Sequence, residues 1–301
     1  AQAWASALVG SAAHLETNVP SNFIPPPECG RDRLRRMENG LNGPTWRGLR
    51  STSGSDGEAE AMQVNELREE IARYPWYHTI DLGEGVVTRG MFDHRGSEDR
   101  YGMPADLSGK RCLDVGTMDG FWAFTMERRG APEVVAVDIE DPEALDWPAS
   151  LRHKIVKTMD ETKATRFDLA RRCIGSSVER RLSSVYALDP SDLGTFDFVF
   201  CGDMLVHLKD PPSALERIRS VCRGTALIAN PVKEQFPYRR RPLAQFDGID
   251  EFEWWLPNRA ALERMVRAAG FSQVVTGPPF ALPTTAGGTW KGRRRWVRGE
   301  V

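Results

Sequence analysis

Residues 113–122 read LDVGTMDGFW, and residues 134–140 read VVAVDIE. The first stretch is the end of an apolar run of strand length that breaks at Gly116 and restarts as a helical pattern at Phe121. Glycine at 116 and 120 lets the backbone bend sharply and lets a ligand approach where a side chain would otherwise stand. The second stretch is another short apolar run, closing on Asp138. Two such strands joined by a helix make a βαβ unit, and in sheets built this way ligands sit beyond the carboxyl ends of the strands. Asp114 is then placed to accept hydrogen bonds from a cationic amine or from loop amides, and Asp138 to take both hydroxyls of a ribose.

The alternation continues outward. ETKATRFDLARRCIG (161–175) reads as a helix, and SSVYAL (183–188), FDFVF (196–200) and TALIANP (225–231) read as strands. PPSALERIRSVCRG (211–224) carries Ala214, Leu215, Ile218, Val221 and Cys222 at helical spacing, with Pro211 and Pro212 for its first turn and Gly224 for its end. PNRAALERMVRAAG (257–270) repeats the device, with Asn258 as N-cap and Gly270 as the stop. The pattern predicts an α/β fold: a Rossmann-like, doubly wound, seven-stranded sheet, mostly parallel, with helices on both faces and a reversed terminal hairpin. Upstream, MQVNELREEIARY (62–74) has helical character and predicts an N-terminal helical cap over residues 62–108, ahead of a cofactor-binding domain at 109–301. Residues 1–61, rich in Pro, Gly, Ser and Asn without a sustained period, are expected to form a poorly structured arm.

Two ligand classes suit a glycine turn between acid-ended strands. A dinucleotide site needs Gly-x-Gly-x-x-Gly so that a pyrophosphate meets a helix N-terminus. Here the glycines are four apart with Asp114 and Asp119 beside them, and carboxylates repel a pyrophosphate. The same acids favour a sulfonium that carries an α-amino group, as in S-adenosylmethionine.

LDVGTMDGFW, VVAVDI and FDFVFCGDMLVHLKDPPSALERIRSVCRGTALIANP (196–231) are similar, in order and spacing, to the successive motifs of class I S-adenosylmethionine-dependent methyltransferases. WYHTIDLGEGVVTRGMFDHR (76–95), PADLSGKRCLDVG (104–116) and DEFEWWLPN (250–258) resemble more specifically the branch related to the tRNA wobble-uridine (carboxy)methyltransferases. The resemblance spans residues 62–280. It implies that Asp114, Gly116, Thr117 and Gly120 line the methionine end of the cofactor, that Asp138 takes the ribose and that Ile139 flanks the adenine. It further implies that Tyr186 and Ala187 edge the adenine, that Cys201, Gly202 and Asp203 follow the cofactor past the fourth strand, and that His207 lies near the transferred methyl. Met118 stands at the middle glycine of the general loop, Asp-x-Gly-x-Gly-x-Gly, and implies a tighter floor. Val206 stands where the carboxymethylating enzymes have a tyrosine for the extra carboxylate of their donor. A buried carboxylate lacking that hydroxyl is worse off by about 1–3 kcal/mol, which favours plain S-adenosylmethionine.

Methyl transfer from a sulfonium is an in-line displacement, so alignment and exclusion of water are the enzyme's main contribution. An oxygen acceptor also needs a proton removed. His207 and His78 are the candidate bases, since imidazole titrates near working pH; the competing account of His207 is a helix residue bonded to nearby backbone. Trp76, Tyr77, Trp254 and Trp255 are candidates for an aromatic lid over the substrate, against a plain core role. Two basic clusters, RRRP (239–242) and KGRRRWVR (291–298), stand apart, and the second reads either as a polyanion contact with Trp296 among arginines or as a solvated terminal strand.

Composition narrows the field. With 41% apolar and 27% charged residues and a formal net charge of -2, the chain has the character of an ordinary soluble globular protein rather than one that coats nucleic acid. Cys29, Cys112, Cys173, Cys201 and Cys222 are scattered and form no CxxC pair, which argues against a disulfide framework or a structural metal and for the cytoplasm. No apolar run approaches the ~20 residues needed to cross a bilayer. AWASALVGSAA (3–13) has no basic region before it and is not read as a signal peptide. The leading expectation is methylation, on oxygen, of a small metabolite or natural product. Modification of a tRNA wobble uridine comes second, and a non-catalytic partner subunit, motivated by Met118, third.

Overall fold

Strand β1 (Arg111–Val115) buries every residue after its first, as a strand with neighbours on both sides and helices over both faces must. The computed structural model that shows this describes residues 64–155, 163–234, 240–249, 252–282, 284–285 and 293–301; the expected arm at 1–61 lies outside the described residues. β1 pairs in parallel with β2 (Glu133–Asp138) on one side and β4 (Phe196–Gly202) on the other. β3 (Glu179–Leu182) adds to β2, and β5 (Cys222–Val232) to β4, again in parallel. β6 (Ala244–Phe246) and β7 (Trp255–Pro257) form a separate two-stranded sheet, while β8 (Val274–Thr276) and β9 (Arg293–Glu300) complete the main one. Its order is β3-β2-β1-β4-β5-β9-β8, with β9 antiparallel to both neighbours, so the seven-stranded sheet and reversed terminal hairpin expected from the sequence are present. The strand order reverses between β1 and β4, which opens a crevice at their carboxyl ends.

Seven α-helices accompany the strands among the described residues: α1 (64–72), α2 (Phe121–Arg128), α3 (Ala149–Ile155), α4 (Lys163–Ile174), α5 (Pro190–Leu193), α6 (Pro211–Val221) and α7 (Arg259–Ala268). On one face Phe121 and Phe124 of α2 and Phe167 and Ala170 of α4 pack with Ile80, Phe92 and Tyr101 of the N-terminal segment. On the other, Leu215 and Ile218 of α6 meet Leu262 and Val266 of α7. Caps follow the sequence: Asp210 accepts from Ser213 N at 3.1 Å ahead of α6, and Asn258 from Ala261 N at 2.8 Å ahead of α7.

Four expectations are corrected. SSVYAL is not a strand; the edge strand is the preceding ERRL, and Val185–Ala187 is a 3-10 turn capped by the Ser184 side chain. Gly224 does not end α6 but lies inside β5, where a Cβ would stand 2.4 Å from the carbonyl oxygen of Asp197 on β4. The N-terminal cap contains one helix, α1, and continues to residue 108 as turns and isolated bridges such as His78 with Phe92. Finally, the arginine-rich tail is only in part the solvated strand expected: residues 293–298 belong to β9 between β5 and β8, with Arg294 buried and Arg293 and Arg298 exposed, while Lys291 and Gly292 lie outside the described residues.

Candidate cofactor and acceptor site

One cavity occupies the crevice. β1 and its turn bring Asp114, Gly116 and Met118 to its wall, β2 brings Asp138 and Ile139, and β4 brings Gly202 and Asp203. Tyr186 joins them from the 3-10 turn, and Tyr77, His78 and His207 complete the set of expected residues that line it. Thr117, Gly120, Ala187 and Cys201 are not on the wall. Thr117 and Cys201 are buried beneath it, and burial pushes the Cys201 thiol up. Gly120 caps α2 at φ 97, and a Cβ there would meet the Phe124 ring at 2.4 Å, so its glycine serves packing.

The acids differ in what they offer. Asp114 is 1% exposed, its Oδ2 has no hydrogen-bond partner among the described residues, and burial pushes its pKa up to about 7. A buried carboxylate oxygen without a partner is costly, and a ligand ammonium is the kind of group that relieves it. Asp138 is already occupied: Oδ2 accepts from Met118 N at 2.7 Å, and Oδ1 accepts from Ile139 N at 2.8 Å and from Lys163 Nζ at 2.9 Å. Met118 reaches Asp138 from a left-handed conformation at φ 53, so the residue that replaces the middle glycine also ties the first turn to the second strand.

Asp119 does not face a ligand, contrary to its reading as one of the acids that favour a sulfonium. Fully buried, it accepts from Tyr77 N at 2.8 Å and His78 N at 3.0 Å, and the His78 Nδ1–H donates to its other oxygen. Burial pushes the Asp119 carboxyl up, but His78 outweighs that and holds it below the usual range. The ring of His78 is thereby fixed, and its Nε2, with no hydrogen-bond partner among the described residues, is left to the cavity that His78 lines. His94 stands beside it, ring centroids 5.3 Å apart, 3% exposed and with its Nδ1 unpartnered among the described residues. Burial, reinforced by the charge of Arg294, holds His94 well below the ordinary imidazole range, so this ring is neutral.

His207 is held differently. Its Nδ1–H donates to the carbonyl of Phe252, whose ring stacks on it at 4.5 Å, and burial lowers its pKa to about 4. The expected aromatic lid is likewise mostly structural. Only Tyr77 lines the cavity. Trp76 is buried with its indole donating to Ile71 O at 2.9 Å, Trp254 donates to Asp146 O at 2.5 Å, and Trp255 to Lys209 O at 3.0 Å, so the last two clamp the β6–β7 hairpin down. Behind Asp203 on the far wall, Arg294 Nε donates to both of its oxygens, at 2.8 and 2.9 Å, and the Tyr101 hydroxyl donates to it at 3.1 Å. Among the described residues no group of His, Cys, Asp and Glu side chains is placed to hold a metal ion.

A family model described as a methyltransferase domain matches residues 99–276. The chain belongs to this methyltransferase family. Among curated proteins it is similar to the tRNA U34 carboxymethyltransferase of Pseudomonas putida (strain W619), 28% identical over 243 residues that cover 75% of this chain and 65% of that protein. It also matches the ubiquinone biosynthesis O-methyltransferase of Hahella chejuensis (strain KCTC 2396), 31% identical over 122 residues, 40% of this chain and 42% of the relative. The chain thus spans just under two thirds of the length of the carboxymethyltransferase it matches. The N-terminal domain of EvdMO1, crystallised in the presence of SAH and D-fucose, shares the fold with a TM-score of 0.56 at 17% identity, over 80% of this chain and 97% of that one.

S-adenosylmethionine, the donor that the class I methyltransferase motifs imply, fits the residues present. The unpartnered Asp114 oxygen matches its ammonium, and beside it Gly116, at φ 80 with a would-be Cβ 2.9 Å from Met204 Sδ, makes room for the Met204 side chain on the wall. Sequence reasoning missed His94 and Lys163, and it left Asp119 without its role. His94 lies inside the FDHR stretch of the resemblance, whereas a single lysine opening α4 carries no motif at all.

Proposed function

We propose that this methyltransferase moves the methyl group of S-adenosylmethionine onto an oxygen of a small, neutral, hydroxylated acceptor, with His78 as the general base. The Asp119–His78 dyad on the cavity wall carries the reading. Bound in the cavity, the donor supplies an electrophilic methyl on a sulfonium. Asp114 takes its ammonium, Asp138 its ribose edge, and Ile139 packs by its adenine. His78 Nε2 receives the proton of the acceptor hydroxyl, while Asp119 keeps the ring in one tautomer and stabilises the imidazolium that forms. His207, with its pKa near 4 and its Nδ1–H given to Phe252, is the weaker base of the two.

The cavity's charge supports a neutral acceptor. Lys163 is the one Lys or Arg on its wall among the described residues, and it is paired with Asp138. Arg294 and Arg295 of the basic tail are paired with Asp203 and Glu234. The fold's likeness to a domain crystallised with D-fucose points the same way. A second reading, modification of a tRNA wobble uridine, is favoured by the names of the curated relatives; Val206, buried off the wall where the resemblance implies a carboxylate-binding tyrosine, argues only that such an enzyme would use the plain methyl donor.

Calorimetry with SAH tests the cofactor assignment: binding is expected, and Asp138→Ala is expected to abolish it. Radiolabelled methyl transfer to a panel of sugars and phenols, set against unmodified tRNA, tests the acceptor. Labelling of tRNA, with an affinity that falls steeply as salt releases phosphate counterions, would refute the small-acceptor reading.

A further inference from the structure

Counting donors and acceptors at the ribose end of the cavity leads to Lys163. A carboxylate offers about four lone-pair positions. On Asp138, Met118 N fills one on Oδ2, while Ile139 N and Lys163 Nζ fill two on Oδ1. A single position remains, yet a ribose diol brings two hydroxyl donors, so Asp138 with these partners in place takes one hydroxyl and not both. Lys163 offers the complement. Its ammonium has three N–H donors; one goes to Asp138, one to the carbonyl of Ile139, and the third has no partner among the described residues. The side chain is 4% exposed and lines the cavity beside Asp138 and Ser183. Displacing it would strand a buried carboxylate, which favours its staying in place when a ligand arrives.

We infer that Lys163 is a cofactor-binding residue, donating to one ribose hydroxyl oxygen while Asp138 accepts from the other hydroxyl. The inference rests on the reading of this cavity as an S-adenosylmethionine site. It replaces the expectation of an acid that grips both hydroxyls with a mixed pair, one donor and one acceptor, that reads the ribose edge asymmetrically.

The test is calorimetry on the full chain with SAH, 2′-deoxy-SAH and 3′-deoxy-SAH, for the wild type and for Lys163→Gln. Glutamine has two N–H donors, enough for Asp138 and Ile139 with none left over. The wild type is expected to lose about tenfold in affinity for each deoxy analogue. Lys163→Gln is expected to bind SAH about tenfold more weakly and to show no further loss towards one of the two analogues, while the loss towards the other persists. Lys163→Met, run in parallel and checked for folding by circular dichroism, is expected to give the same pattern. If either folded variant binds all three ligands more weakly by one common factor, or if both hydroxyls keep their full effect, Lys163 only supports Asp138 and the inference is overturned. A wild type that binds none of the three removes the cofactor reading and this inference with it.

Discussion

With Asp114 as the proposed partner of the cofactor's ammonium, its titration is expected to set how cofactor affinity varies with pH. Its carboxyl is buried, one oxygen has no partner among the described residues, and burial raises its pKa to about 7. The α-ammonium of SAH pairs with the charged form only. For a group titrating at about 7, the charged fraction falls from about nine tenths at pH 8 to about one tenth at pH 6, so affinity should fall roughly tenfold, or about 1.4 kcal/mol. Stability runs the other way. A raised acid pKa means that the unliganded folded protein keeps a proton that the unfolded chain releases between about pH 4 and pH 7, so this group's contribution to stability declines as pH climbs through that window, by on the order of 4 kcal/mol in all. Pairing with the ligand offsets the loss, and SAH should therefore raise the melting temperature more at pH 8 than at pH 6. Calorimetric titration across this range, with Asp114→Asn as the control, is the assay; the variant is expected to bind weakly and with a flat profile. An affinity that stays level or strengthens towards acid in the wild type would refute the role given to Asp114, and so would an unchanged slope in Asp114→Asn.

Asp119→Asn places an amide where His78 needs an acceptor, so the tautomer inverts and Nε2 becomes protonated; turnover should fall by about 10²–10⁴-fold while SAH affinity persists, and a parallel loss of SAH binding would count against His78 as the base. Because Asp119 is held below the usual carboxyl range, its stabilising effect is present above about pH 4 and lost as pH falls below that, so acid unfolding monitored by tryptophan fluorescence should be shallower in the same variant. Arg294→Met leaves Asp203 with the Tyr101 hydroxyl as its one side-chain partner among the described residues, and thermal melting should report a cost of about 3 kcal/mol, partly recovered by adding Asp203→Asn; an unchanged midpoint would contradict the pairing. Gly116→Ala introduces a side chain at φ 80 against Met204, for which about 1–2 kcal/mol of destabilisation and weaker SAH binding are expected, both measurable by thermal shift.

The parts of the fold legible in the sequence were those set by local rules. Continuous apolar runs marked β1, β2, β4 and β5 because strands buried on both faces need no alternation, and Asn258 and the paired prolines marked two helix starts because orphan N–H groups demand them. SSVYAL misled because a short apolar run of that length suits a strand, while the edge position went to ERRL, whose polar residues suit a strand paired on one side. Within the site, acids at strand ends were predictable and their partners were not. Lys163 meets Asp138 across 25 positions, His78 meets Asp119 across 41 and Arg294 meets Asp203 across 91, distances over which no periodicity in the chain carries information. The aromatic lid failed for a related reason: an indole needs somewhere to place its N–H, and the fold supplies backbone carbonyls at Ile71, Asp146 and Lys209.

The placement of β9 between β5 and β8 makes the catalytic end of the molecule a late product of synthesis. Until residues 293–300 leave the ribosome, β5 keeps an open edge and Asp203 waits without its counterion, so the part of the cavity wall that Asp203 lines is completed after every other strand of the sheet exists. A nick anywhere in the connection before β9 would leave the polypeptide free to shed one strand and, with it, the charge balance of the chamber.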